Sequence, residues 1–523
     1  MSAQSVSRML THWKNFKMLL VFQGILVGLV SGLIVVFYRF VLEKMGRLSV
    51  WIYHCLSDNY RLIPVWFLFL TGIAAIIYWI IRKEPMTKGS GIPQVEGVLL
   101  HQLEMNWWKV ILGKFIGGSL ALGAGLSLGR EGPSIQLGAA AGQGISKMLK
   151  RPTIEEKFLI TGGASAGLAA AFNAPLAGVI FALEEVHKNF SPRVLITAMS
   201  AAVTADILSK EFFGMKPVLN FAEISPLPLE YYGYLVLLGI ILGLAGSFFN
   251  WALLRCQELW GNLPWLSGYW KIVIPLWLGG ILGIFLPEVM GGGHDLIMSL
   301  TREEIILNIA IILLTMKFIF TMISYSSGAP GGIFLPMLAL GALIGLIYGK
   351  TLNLGFRIEI HYVNNFIILA MAGYFTAIVR APITGCILIS EMTGSLNHLL
   401  SLAVVSFVAF IVADLTGSKP IYESLLERML ENNNKDKHRV SKETTAKILL
   451  EIAVQMGSSI DGIRIKDVQW PAGTLLVSIL RGQKDIIPNG QTSIGAGDYL
   501  VVLVDESQAA YAKEALLKMA SKY

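Results

Sequence analysis

The chain has 523 residues, of which 54% are hydrophobic and only 15% charged, and its mean hydropathy is +0.62. That composition excludes an ordinary water-soluble globular protein. The net charge of +7 calls for no nucleic-acid partner: Arg8, Lys14 and Lys17 precede the first apolar run with no acid among them, which by the positive-inside rule places the N-terminus in the cytoplasm.

In chain order, the uncharged runs Met18–Tyr38, Leu62–Ile81, Tyr231–Leu254 and Met392–Ala413 each reach the ~20 residues that a helix needs to cross a bilayer. The first is read as a retained span, since no small-residue cleavage site and soluble domain follow it. Phe318–Gly349 is longer still, but Gly328-Ala329-Pro330-Gly331-Gly332 interrupts it. Four other apolar stretches, Ser134–Ser146, Phe158–Phe172, Leu176–Leu183 and Ile383–Ser390, are short and flanked by Gly or Pro, as re-entrant helices are. Breaks of this kind must line protein or a water-filled cavity, and they are the usual anatomy of transporters. The three cysteines, Cys55, Cys256 and Cys386, are scattered and odd in number, and indicate neither a disulfide framework nor a metal site.

Hydrophobicity falls after Leu430. Glu431–Thr445 reads as a polar linker, and residues 446–523 as a small cytosolic α+β domain. Its strands are expected at Lys447–Gln455, Thr474–Leu480 and Tyr499–Val504, with a turn at Pro488-Asn489-Gly490 and a helix over Ser507–Ala520.

The membrane part repeats itself. Ala174–Glu184 matches Ala381–Glu391 at five of eleven positions, and Gly132–Gly142 matches Leu335–Gly345 equally well, at offsets of 207 and 203 residues. Two matches in one order at nearly one offset point to duplication, with half-helices of both halves converging on one site.

Three Gly-rich segments end in a proline able to open a helix: Gly89-Ser90-Gly91-Ile92-Pro93, Gly129-Arg130-Glu131-Gly132-Pro133, and Gly331-Gly332-Ile333-Phe334-Leu335-Pro336. Each helix start offers free N–H donors, a cradle for an anion without a full positive charge. Glu131 follows an uncharged run from Phe115 to Gly129, so a titratable carboxylate is kept where desolvation penalises it. Anion site and acid together are the theme of the sequence.

The ordered set GSGIP, GREGP and GGIFLP resembles the signature motifs of the CLC family of chloride channels and proton-coupled chloride transporters. The likeness extends through Ala171–Val186, Ala381–Thr393 and Lys419-Pro420-Ile421-Tyr422, over roughly residues 15–430. It implies an all-α polytopic homodimer of the bacterial plasma membrane, each subunit built from two inverted halves with broken helices and both termini cytoplasmic. Carried over by position, Ser90 and Tyr422 supply hydroxyls, and Ile333 and Phe334 supply backbone N–H groups, to a central chloride. Glu131 is the gating glutamate, which competes with the halide for its position. Glu185 is the inner proton-transfer glutamate, which exchangers possess and channels replace. Glu184 has a repeat mate in Glu391, which gives that pair a structural role. Serine at position 90, where nitrate-specialised members carry proline, favours chloride.

The resemblance thus implies secondary active exchange of chloride for protons; the alternative is a passive voltage- or proton-gated chloride channel of the same fold. No cofactor is implied beyond the transported ion. Among the other intramembrane charges, Glu96 is expected to pair with Lys114, and Lys317 to snorkel from the end of an apolar run. The tail, through Gly495–Val502 and Pro488-Asn489-Gly490, resembles RCK-C domains, the ligand-binding modules of potassium-transport regulators. That likeness suggests a dimeric regulatory module binding a nucleotide such as a cyclic dinucleotide, with a plain dimerisation or folding domain as the alternative, and leaves a cation-transport component as a competing reading. No HExxH or GxSxG motif in suitable context supports an enzyme.

Overall fold

Hydrocarbon offers no partner to a peptide N–H or C=O, so long apolar runs satisfy their backbones internally as helices. In the computed structural model, which describes residues 3–521 apart from 220, 222, 223, 264–266, 303, 304, 357, 438–446, 482, 483 and 506–508, the chain forms two compact units, Met1–Leu430 and Glu431–Tyr523.

Among the described residues six helices of the first unit are long and apolar enough to cross a membrane: Lys17–Asp58, Tyr60–Lys83, Leu229–Gly261, Leu307–Ser326, Phe334–Phe356 and Ile360–Val379. The first three contain three of the four expected spans. The fourth expectation is corrected. Met392–Ala413 is no single span, because the helix Pro382–Thr393 stops at Gly394 and a new one runs from Leu399 to Leu415. Gly394 takes the left-handed conformation, its N–H donating to the Glu391 carbonyl, while the Ser395 N–H closes back on Ser390. Such a cap ends a helix that composition alone would continue.

The predicted break in Phe318–Gly349 is present, separating Leu307–Ser326 from Phe334–Phe356. Of the four short helices, Pro175–Phe181 and Pro382–Thr393 are short. The other two belong to longer ones, Glu131–Met148 and Thr153–Phe172. Their first turns carry Glu131 and the pair Glu155–Glu156, charged residues that a count of uncharged positions leaves out although acids suit a helix start.

The duplication is visible as an exchange of caps. Glu184 accepts the N–H groups of Ile383 and Thr384, at 3.3 and 2.8 Å, where the helix Pro382–Thr393 begins. Its repeat mate Glu391 accepts those of Leu176 and Ala177, at 3.2 and 2.7 Å, where Pro175–Phe181 begins. Each half caps the other's half-helix, and the swap of equivalent contacts relates the halves by a local two-fold. Carboxylates placed on free helix-start donors are stabilised by the same dipoles that attract an anion, so the pair has the structural role expected of it.

In the second unit, four antiparallel strands, β1 (Lys447–Ala453), β2 (Thr474–Arg481), β3 (Lys484–Ile486) and β4 (Asp498–Asp505), lie in the order β1-β4-β2-β3. Ile452, Ile479, Leu500 and Val502 form its core with Leu516 and Ala520 of the helix Ala509–Ala520. The edge strand β3 is absent from the sequence reading: three residues give too short an alternation to register. Buried Asp498 takes two 2.7 Å hydrogen bonds from Arg481 and one from the Gly495 N–H. Those Arg481 donors hold its carboxyl below the usual carboxylate range. The expected linker begins as helix, since Ile421–Lys437 runs on past Glu431 into it. The rest of it, to Thr445, lies outside the described residues, as does Ser507 at the expected start of the last helix.

Candidate functional site

The three Gly-rich segments, distant in sequence, are laced together by backbone hydrogen bonds. Gly129 and Gly332 exchange both of theirs, N to O distances being 2.6 and 2.8 Å. Gly89 donates to the Gly328 carbonyl at 3.2 Å and accepts from the Gly331 N–H at 2.9 Å. Close approach at these points requires glycine. A Cβ on Gly132 would collide with Ser90, and one on Gly332 would stand 3.2 Å from the Gly132 nitrogen. Ser90 itself is set by Gly91, whose φ of +100° turns the chain into the helix Ile92–Leu99.

Three helix starts therefore face one small volume: Ile92–Leu99, Glu131–Met148 and Phe334–Phe356. Ile333 lies at the mouth of the last, so the N–H groups of Ile333 and Phe334 precede any intrahelical acceptor. The Phe334 ring is fully buried and fixed among Phe375, Phe172 and Phe181, with centroids 4.8, 5.5 and 5.9 Å away. Packing of this kind leaves the backbone beneath it little freedom. Tyr422, fully buried, arrives on the first turn of Ile421–Lys437, and its hydroxyl lies within electrostatic reach of both Glu131 and Glu185. The hydroxyls of Ser90 and Tyr422 are buried without a hydrogen-bond partner. Buried polar atoms are normally paired, so two unpartnered hydroxyls at the same helix starts are candidates to hold an ion.

Glu131 opens the helix Glu131–Met148 and is fully buried. Its carboxylate is aimed toward its own and the Leu335 amides without closing a hydrogen bond to either, and Arg130 Nε stands 3.9 Å away. Arg130 is partly open to a cavity of about 1510 Å³ that also reaches Leu335, Gly291–His294, Arg39 and Glu43. Glu185 lies in a π turn, Ala182–Val186, buried and with Oε1 unpartnered. π turns inside helices are rare and concentrate at functional sites. The six residues singled out in the sequence, Ser90, Glu131, Glu185, Ile333, Phe334 and Tyr422, are thus all buried in one unit, five of them around the helix starts or against them and Glu185 on a separate turn.

Two residues that sequence reasoning misplaced support this arrangement. Lys114 does not pair with Glu96. It is fully buried and donates to the carbonyls of Gly89 and Thr87, at 2.6 and 3.1 Å, behind Ser90. Glu96 is bound instead by Lys188, 2.5 Å away, which also stands 3.9 Å from Glu423. Lys317 does not snorkel: fully buried, it donates to the carbonyls of Val289, Met290 and Gly291. The two lysines are themselves 203 residues apart, the offset of the repeat, and that match was the available signal. In both halves a buried ammonium collects the carbonyls of the loop that leads into a half-helix. Lys114→Met is expected to strand the Gly89 and Thr87 carbonyls and weaken the binding of an anion at these helix starts by about tenfold, read by titration calorimetry with halide salts. Lys317→Met, equally buried, is expected to lower the thermal midpoint with anion affinity unchanged.

Among the described residues no cluster of three or more His, Cys, Asp or Glu side chains is arranged to hold a metal ion. The comparisons with known proteins agree on the family. The family described as voltage gated chloride channel matches residues 73–414, and the TrkA-C domain matches residues 449–517. The H(+)/Cl(-) exchange transporter ClcA of Vibrio cholerae is 35% identical over 422 residues, 79% of this chain and 90% of that protein. The crystal structure of a slow cyanobacterial Cl-/H+ antiporter superposes with a TM-score of 0.76 at 32% identity, covering 79% of this chain and 99% of that one. A CLC-type fluoride/proton antiporter shares the fold, with a TM-score of 0.65 at 23% identity, covering 77% of this chain and 97% of that one.

Proposed function

The chain belongs to the voltage-gated chloride channel family, and from that premise we propose that it is a secondary active transporter exchanging chloride for protons across the membrane. A chloride sits at the meeting of the helix starts, taking hydroxyls from Ser90 and Tyr422 and N–H groups from Ile333 and Phe334. Neutral dipoles suit a transported ion, since a full cation in contact would hold it too firmly. Glu131 is the gate: ionised, it fills an anion position; protonated, it withdraws and admits the halide. Glu185 receives protons from the cytoplasmic side and passes them toward Glu131.

The observation that carries exchange rather than passive conduction is Glu185, a second buried carboxyl with an unpartnered oxygen. A channel gains nothing from burying that acid, and burial without a partner costs several kcal/mol. The relatives named as exchangers support the same reading. The protein is a multi-pass homodimer of the bacterial plasma membrane with both termini cytoplasmic, in this reading. Its TrkA-C unit is a regulatory module whose ligand class is a nucleotide. The test is a paired flux measurement: liposomes loaded with chloride, external chloride and pH followed together. Exchange requires proton movement opposed to chloride; chloride flux with a silent pH trace would return the channel reading.

A further inference from the structure

A cluster of charges beside Glu131 takes no part in chloride–proton exchange as proposed, although any role for it rests on Glu131 being the gate. Arg39 and Glu43 lie one turn apart on the helix Ala3–Asp58, with Arg39 Nε 3.2 Å from Glu43 Oε1. Arg39 is held independently of that contact. It donates to Asn173 Oδ1 at 2.9 Å and to Ser209 Oγ and the Ala170 carbonyl at 3.4 Å, and its guanidinium lies 4.0 Å from the Phe213 ring centre. A fixed arginine fixes its carboxylate partner.

Glu43 Oε1 is in turn 3.9 Å from Arg130 Nη1, and Arg130 Nε is 3.9 Å from Glu131 Oε1. One guanidinium thus stands between two carboxylates. Glu131 is fully buried, whereas Glu43 is 38% exposed and lines the cavity. The backbone contact of Arg130, Nη2 to the Ala171 carbonyl, is long at 3.5 Å, so the side chain is shared between the acids more than it is anchored.

We propose that Glu43 is a positioning residue for the gate: by holding the far side of Arg130 it keeps part of that positive charge away from Glu131, and so sets the proton affinity of the gating carboxylate. The sign follows from the charges. With Glu43 neutral, Arg130 and Arg39 both act on Glu131 uncompensated, and Glu131 stays ionised to lower pH. The other charged or titratable groups that face this cavity are Arg47, Tyr53, His54 and Asp58 on the helix of Glu43, with Lys216, Glu288, His294 and Asp295 on its other walls, and Tyr38 lies beside Arg130 and Glu131. Among the described residues, Arg130 alone of the cations is within 4 Å of both acids.

The experiment is exchange measured in liposomes against external pH for wild type, Glu43→Gln, Glu43→Asp, Glu131→Ala and the Glu43→Gln/Glu131→Ala pair. Glu43→Gln is expected to move the external-pH midpoint of exchange about half a unit or more toward acid. Glu43→Asp keeps the charge but shortens the reach to Arg130, and is expected to fall between wild type and Gln; it carries the test by itself should the Gln protein fail to assemble. Adding Glu43→Gln to Glu131→Ala is expected to leave the chloride flux independent of pH. Superimposable wild-type and variant midpoints would overturn the proposal. So would a pH-dependent effect of Glu43→Gln in the Glu131→Ala background, because Glu43 would then act through some other group. Proton coupling that survives in Glu131→Ala alone would instead remove Glu131 as the gate, and this inference with it, while leaving exchange standing.

Discussion

Glu131→Ala is expected to abolish proton movement while chloride continues to cross, down its gradient and at a rate indifferent to pH. Three features of the site lead there. The carboxylate opens a helix whose first N–H groups are the natural seat of an anion. It is fully buried, and neither oxygen completes a hydrogen bond. The donors around it belong to other segments, Ile333 and Phe334 among them, which the Gly129–Gly332 exchange of hydrogen bonds holds in place whatever side chain stands at 131. Removing the carboxylate therefore removes a competitor and leaves the cradle. Paired chloride and pH electrodes on one liposome suspension read both ions.

A structural role for the Arg130–Glu131 pair predicts something different. At 3.9 Å, with Arg130 shared toward Glu43, the pair makes no close contact. Removing one member of a well-formed buried pair destabilises a protein by about 3–5 kcal/mol, whereas removing an ill-satisfied buried acid is neutral or stabilising. The Glu131→Ala protein is therefore expected to unfold thermally at or above the wild-type midpoint. A marked fall in that midpoint with coupling preserved would make the pair a brace and not a gate.

How much of this was legible in the sequence depended on range. The three Gly-rich starts could be read because glycine and proline act locally on the chain, and their order and spacing pointed to one site. The reciprocal caps of Glu184 and Glu391 were legible through the repeat. The partner of a long side chain was not. Glu96 reaches Lys188 and not Lys114, and Lys114 and Lys317 serve backbone carbonyls that no pairing of opposite charges would suggest. Arg39 and Glu43 sit on the first long helix with nothing in their local pattern to connect them to Arg130. The cap at Gly394 was hidden because an uncharged run gives no sign of where a left-handed glycine ends it. The π turn at Ala182–Val186 was hidden too, since its composition is that of an ordinary helix.

That turn carries the second large prediction. Glu184 and Glu185 are adjacent acids with separate work. Glu184 accepts two backbone N–H groups and the Thr384 hydroxyl, at 3.3, 2.8 and 2.7 Å, and so is committed to the helix Pro382–Thr393. Glu185 is more deeply buried, and its Oε1 has no such commitment. The nearby charges of Lys188, Glu96 and Glu423 form a patch on the same side, which gives protons a polar approach to it. Glu185→Gln keeps the shape and removes only the ability to take and release a proton, so chloride flux is expected to persist with its coupled proton movement lost. Glu184→Gln keeps one acceptor for the half-helix and leaves Glu185 intact, so it is expected to lower the thermal midpoint while coupling survives. The two variants then fail in opposite ways, one in transport and the other in stability. Full coupling in Glu185→Gln would send the proton through Glu96 or Glu423 instead, and the inner half of the proposed route would have to be redrawn around Lys188.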